Sequence, residues 1–114
     1  MSAITSHVLD TARGRPAAGV PVRLEARDAE GAWRELGRGF TDADGRLKDL
    51  LPSEQKLSKG SYRLTFDAAV YFAAQGEKGF YTEVAVAFVV AETGAHYHVP
   101  LLLSPYGYTT YRGS

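Results

Sequence analysis

Polar and apolar positions alternate with a period of two over most of this chain. In VPVRLEAR, Val20, Val22, Leu24 and Ala26 fall on one side and Pro21, Arg23, Glu25 and Arg27 on the other. In SYRLTF, Tyr62, Leu64 and Phe66 oppose Arg63 and Thr65. Successive side chains of a strand point to opposite faces, so both segments predict half-buried strands. YTEVAVAFVV is rich in β-branched and aromatic residues and predicts a strand with two fairly apolar faces. ITSHVLD predicts the first strand. HYHVPLLLS and YGYTTYRG predict two more, broken by Ser104-Pro105-Tyr106-Gly107. Turn signals recur at Arg13-Gly14-Arg15-Pro16, Glu30-Gly31, Asp44-Gly45 and Lys59-Gly60. Many short strands with frequent turns predict an all-β antiparallel sandwich. One segment breaks the period. DAAVYFAAQG opens on Asp67, a good N-cap, carries four alanines and ends at Gly76, a good C-cap. It predicts one short helix over residues 68–75.

Composition narrows the class. A chain of 114 residues fits a single domain, 1–114. A domain of that size buries roughly two-thirds of its unfolded surface, enough for one core without staples. Thirteen basic residues balance thirteen acidic ones with no basic stripe, which argues against a nucleic-acid partner. The absence of cysteine excludes disulfides and thiolate chemistry. No apolar run has membrane-spanning length. MSAITSHVLD lacks the basic start and apolar stretch of a signal peptide, so a soluble, cytoplasmic protein is expected. There is no nucleophile elbow, phosphate loop or dinucleotide fingerprint.

The candidate chemistry rests on few residues. The three histidines, His7, His96 and His98, titrate near neutrality and are the natural proton-transfer groups. On a strand His7 shares its face with Thr5 and Leu9; by itself it reads as a hydrogen-bonded histidine at a sheet edge. His96 and His98 flank Tyr97 and point to one side. Two histidines can begin a zinc site, but a third or fourth ligand is needed and no Asp or Glu adjoins the pair, so no metal is expected. Arg46 follows the Asp44-Gly45 turn, where an arginine is usually solvated but can also present a fork to an anionic or carbonyl-rich ligand. DADG resembles the start of a calcium loop without the glutamate at its twelfth position. The end of the chain, YTTYRGS, is unusually aromatic for a segment that normally frays.

Three stretches carry a family resemblance: SHVLDTARGRPAAGVPVRL, TDADGR and HYHVPLLLSPYGYTTYRGS. Together with the strand–helix–strand order around YRLTFDAAVYFAAQ, they resemble the 5-hydroxyisourate hydrolases, the enzymatic branch of the transthyretin family. The closing Tyr111-Arg112-Gly113-Ser114 is the most specific element. The hormone-carrying transthyretins share the sandwich and an LLSPY-like segment but resemble this chain less at His7, Arg46, His98 and the tail. The resemblance implies a transthyretin-like sandwich of about eight strands in two sheets with one short helix. It also implies a homotetramer of dihedral symmetry, with active sites where dimers meet, and no cofactor.

The implied reaction opens the six-membered ring of 5-hydroxyisourate with water. Matching residue by residue, the resemblance places catalysis on His7, Arg46, His98 and Ser114, and substrate contacts on His7, Arg46, Tyr111, Arg112 and Gly113. His98 matches better than His96 because it directly precedes Val99-Pro100-Leu101; no role is assigned to His96. The chemistry suits these types. Opening a cyclic amide needs a deprotonated water, a stabilised oxyanion and a protonated leaving nitrogen. A neutral imidazole can take and return a proton, and a guanidinium fork can bind oxygens and stabilise charge at the carbonyl. One histidine would be the base and the other an orienting group, in either order. Ser114 would bring a hydroxyl and the terminal carboxylate. A small-ligand carrier of transthyretin type and a purely structural sandwich are the competing readings; neither requires particular residues at the tail.

Overall fold

In the computed structural model, which describes residues 2–114, the alternating segments become the strands of two sheets. The first contains β1 (Ile4–Asp10), β2 (Arg15–Pro16), β5 (Arg46–Leu47), β8 (Tyr97–Ser104) and β9 (Gly107–Thr110). It runs in the order β2-β1-β8-β9, with β5 also pairing β1. The second contains β3 (Pro21–Arg27), β4 (Trp33–Phe40), β6 (Gly60–Phe66) and β7 (Val84–Val90), in the order β4-β3-β6-β7. The inward rows meet in one core. Ile4, Val8, Leu101 and Leu103 come from the first sheet and Val22, Leu24, Leu64 and Phe66 from the second, all buried. Each such side chain contributes about 1.5–3 kcal/mol relative to an exposed one.

Among the described residues nine strands form where about eight were expected, two of them only two residues long. The expected antiparallel pairing holds at every ladder but one: β1 and β8 run parallel, from Ile4 opposite Tyr97 to Asp10 opposite Leu103. The chain reaches β8 by crossing from the second sheet rather than by a hairpin from β1, so no tight turn fixes the direction. The predicted helix is present as α1 (Ala68–Ala74), with the Asp67 carboxylate accepting from the Val70 N–H at its start.

β4 was not anticipated. WRELGRGF has no period-two apolar row, and none of its side chains is fully buried. It forms because β3 offers an unpaired edge. Leu36 bulges between the Leu24–Gly37 and Glu25–Glu35 pairs. Gly37 lets the following chain cross closely, since a Cβ there would lie 2.0 Å from the Leu50 carbonyl oxygen.

Polar groups on the inward rows are paired, as burial demands. Ser6 donates to the Val99 carbonyl at 2.7 Å. The Asp10 carboxylate, 1% exposed, accepts from the Tyr71 hydroxyl at 2.7 Å and the Arg13 N–H at 3.0 Å. Burial, reinforced by this carboxylate, pushes the Tyr71 hydroxyl up to about 12.

Candidate active site

The outward row of the first sheet carries the chemistry. His7 on β1 lies opposite Arg46 on β5 and Pro100 on β8, and Thr5 lies opposite His98. Residues paired in register project to the same side, so Thr5, His7, Arg46 and His98 share one face.

The DADGR turn brings Arg46 there. One Asp42 carboxylate oxygen accepts from the N–H groups of Asp44 and Arg46, both at 2.9 Å. Those bonds, Arg46's first, hold the Asp42 carboxyl below its ordinary range. Gly45 adopts φ 75°, and a Cβ there would sit 2.3 Å from the Val8 carbonyl oxygen. Only glycine tolerates both the left-handed backbone and that approach. The acidic string is therefore a side-chain-braced turn that docks Arg46 beside β1. The same loop fixes His7, whose Nε2–H donates to the Asp44 carbonyl at 2.9 Å. A carbonyl only accepts, so Nδ1 is the free nitrogen of the neutral ring.

His98 is held from β1. Its Nδ1 lies 2.8 Å from Thr5 Oγ1, and the same hydroxyl lies 3.0 Å from His96 Nε2. His96 and His98 do point to one side, with ring centroids 6.4 Å apart and planes 21° from parallel. Burial first, then the charges of His96, Arg46 and His7, lower the His98 pKa. His98 is accordingly neutral around pH 7, the form a general base requires.

The tail returns to this face in register. β9 pairs Leu101 with Thr110, and the isolated bridge between His98 and Gly113 continues the same spacing. Pro100 interrupts the ladder because it has no N–H, and its carbonyl accepts from the Thr110 hydroxyl at 2.8 Å. Pairing resumes where the Gly113 N–H donates to the His98 carbonyl at 2.8 Å. Ser114 then joins Thr5, Arg46, Lys48, His96 and His98 around an open pocket of about 170 Å³.

Not all the tail arrives there. Arg112 lies with its guanidinium 4.5 Å from the centre of the Tyr97 ring, on the inward row. Tyr111 is 56% exposed and, with Arg112, lines a separate cleft beside Val86 and Phe88. Within one chain the pocket thus gathers Arg46, His98 and Ser114, with His7 next to Arg46 and Gly113 against His98. Tyr111 and Arg112 stand apart. Thr5 and Lys48 also line the pocket, and sequence reasoning assigns neither a function: the period-two pattern puts Thr5 on the His7 face, and no motif singles out Lys48.

The model of the HIUase/Transthyretin family matches residues 4–113. The chain belongs to this family. It is 47% identical over 111 residues to a 5-hydroxyisourate hydrolase of Salmonella dublin, covering 97% of this chain and 80% of that one. Among solved structures it resembles Klebsiella pneumoniae 5-hydroxyisourate hydrolase at 37% identity and TM-score 0.85, with 100% of both chains covered. Sea bream transthyretin in complex with thyroxine is similar at 34% identity and TM-score 0.90, over 96% of this chain and 93% of that one. Members with different names thus share one HIUase/Transthyretin fold, so the fold alone does not separate them.

Proposed function

We propose that this chain hydrolyses 5-hydroxyisourate to 2-oxo-4-hydroxy-4-carboxy-5-ureidoimidazoline. The observation that carries the reading is the convergence of Arg46, His98 and Ser114 on one pocket, with His7 paired to Arg46. His98 takes a proton from water as its oxygen bonds to the amide carbonyl carbon. Arg46 stabilises the oxyanion, the carbon–nitrogen bond breaks and the leaving nitrogen is protonated. His7, anchored on the Asp44 carbonyl, offers Nδ1 to the substrate, and the Ser114 hydroxyl offers a further polar contact. A positioned base contributes roughly two to four orders of magnitude in rate, so Arg46 and substrate binding must supply the rest. The names of the relatives support the substrate; a transthyretin-like carrier would need no base on this face.

The reading extends to a homotetramer in which a second copy closes the open pocket. Its support is the exposed apolar surface along the β7 and β9 edges, where Val89 is 69% and Tyr108 42% exposed, with Tyr111 just beyond. In such an assembly Tyr111 and Arg112, remote from the pocket of their own chain, are placed to contact substrate in a neighbour's. The test is to generate hydroxyisourate with urate oxidase and follow its ultraviolet absorbance with and without the protein. Acceleration is expected; decay at the spontaneous rate overturns the reading. Light scattering should give four chains per particle.

A further inference from the structure

Thr5 Oγ1 sits 2.8 Å from His98 Nδ1 and 3.0 Å from His96 Nε2, yet a threonine hydroxyl has a single proton. Thr5 is 3% exposed, and its hydroxyl has no other hydrogen-bond partner among the described residues. To satisfy all three groups the hydroxyl must donate to one ring and accept from the other. The two histidine tautomers are thereby linked through one buried oxygen.

Two arrangements meet this rule. If Thr5 donates to His98, the proton of His98 sits on Nε2 and no lone pair faces the pocket. If Thr5 donates to His96, His98 donates its Nδ1–H to Thr5 and keeps Nε2 bare. No partner for His98 Nε2 occurs among the described residues. The second arrangement leaves a base and the first does not.

We propose that Thr5 and His96 are positioning residues that hold His98 in its Nδ1–H form and carry protons between its inner nitrogen and solvent-exposed His96. This inference rests on the hydrolase reading for its catalytic consequence, though not for its geometry. As the water oxygen bonds to the carbonyl carbon, its proton goes to His98 Nε2. The Nδ1 proton passes to Thr5 Oγ1 and the Thr5 proton to His96 Nε2. His98 ends neutral and the charge rests on exposed His96. When His98 Nε2 then protonates the leaving nitrogen, the relay runs backward and both starting tautomers return. The net transfer is one proton from water to nitrogen. The reason to move the charge lies in what faces His98: Arg46 and Lys48 after the turn, His7 on β1, and His96 just ahead of β8. An imidazolium kept beside the Arg46 guanidinium and the Lys48 ammonium is disfavoured, whereas one on exposed His96 is solvated.

The test is long-range proton–nitrogen NMR on histidine-labelled protein above pH 8, together with kinetics. Neutral His98 and His96 should both carry their proton on Nδ1, the less common form of free histidine. Thr5→Val, nearly isosteric, should return His98 toward Nε2–H and lower kcat by about 100-fold with little change in KM, the lower end of what a positioned general base contributes. Thr5→Ser should restore both. His98 protonated on Nε2 in the native protein, or Thr5→Val with native kcat, would overturn the relay. Nδ1 tautomers without hydroxyisourate hydrolysis would keep the relay and remove the proposed activity. Hydrolysis with His98 in the Nε2–H form would do the reverse.

Discussion

Gly113→Ala is the sharpest probe of how the tail supports the site. A Cβ at 113 would lie 2.6 Å from His98 Cδ2 and 3.3 Å from both His98 Cγ and Pro100 Cγ. Carbon atoms in contact sit about 3.5–4.0 Å apart, so one partner must move by roughly 1 Å. The His98 ring has little freedom, being tied to Thr5 at 2.8 Å. A swing of 1 Å takes that bond past the useful range of about 3.2 Å. The alternative is for the tail to lift, breaking the bond from the Gly113 N–H to the His98 carbonyl. Either route loses one hydrogen bond, about 1 kcal/mol of stability. The catalytic effect is larger: a misplacement near 1 Å can lower the rate about 100-fold, or roughly 2.7 kcal/mol of barrier. Expected, therefore, is a melting temperature lowered by only a few degrees beside a kcat about two orders down, read from hydroxyisourate decay. A variant with native kcat would refute both the tight approach and its role. Unfolding of the variant would refute the view that the bridge is peripheral to the sandwich.

Three further outcomes follow from the same geometry. Asp42→Ala removes the acceptor for the Asp44 and Arg46 N–H groups and should lower kcat/KM by about 10- to 100-fold through a loosened Arg46, with circular dichroism unchanged; unchanged kcat/KM would sink the bracing role. Tyr71→Phe should cost about 1–3 kcal/mol in denaturant unfolding, because buried Asp10 loses its 2.7 Å donor. Since the folded hydroxyl is raised from 10.0 to about 12, its contribution is fully present below pH 10.0 and fades as pH rises through about 12; the phenylalanine variant should lack that alkaline loss. The lowered His98 pKa places the acid limb of kcat/KM below 6.5, the ordinary histidine value; a limb above 6.5 would remove His98 as the base of the free enzyme.

Much of this fold was legible because burial writes itself into period-two patterns. ITSHVLD, VPVRLEAR, SYRLTF and HYHVPLLLS became β1, β3, β6 and β8 within one residue at each end. β4 was illegible for the converse reason: an edge strand that buries no side chain fully leaves no apolar row to read. The parallel β1–β8 pairing is equally silent locally, being decided by where the chain crosses between sheets. At the site, the facing of His7 with Thr5 and of His96 with His98 was readable from strand alternation. The joining of both pairs through the Thr5 hydroxyl was not, since nothing in either segment specifies a parallel register 93 residues away.

The alternation also explains how one scaffold carries differently named members. On β1, Ile4, Ser6, Val8 and Asp10 point inward and are all buried, while Thr5, His7 and Leu9 project outward. On β8, Val99, Leu101 and Leu103 hold the core while His98 faces the pocket. A residue on the outward row therefore changes with little consequence for the core, while the inward row, apart from Ser6 at the pocket wall, sets the sandwich. Two features tie the rows together. Pro100 interrupts the β8–β9 ladder, and Gly113 resumes it against His98. The aromatic tail is thus no loose end: the pairing that completes the sheet edge also delivers Ser114 to the pocket.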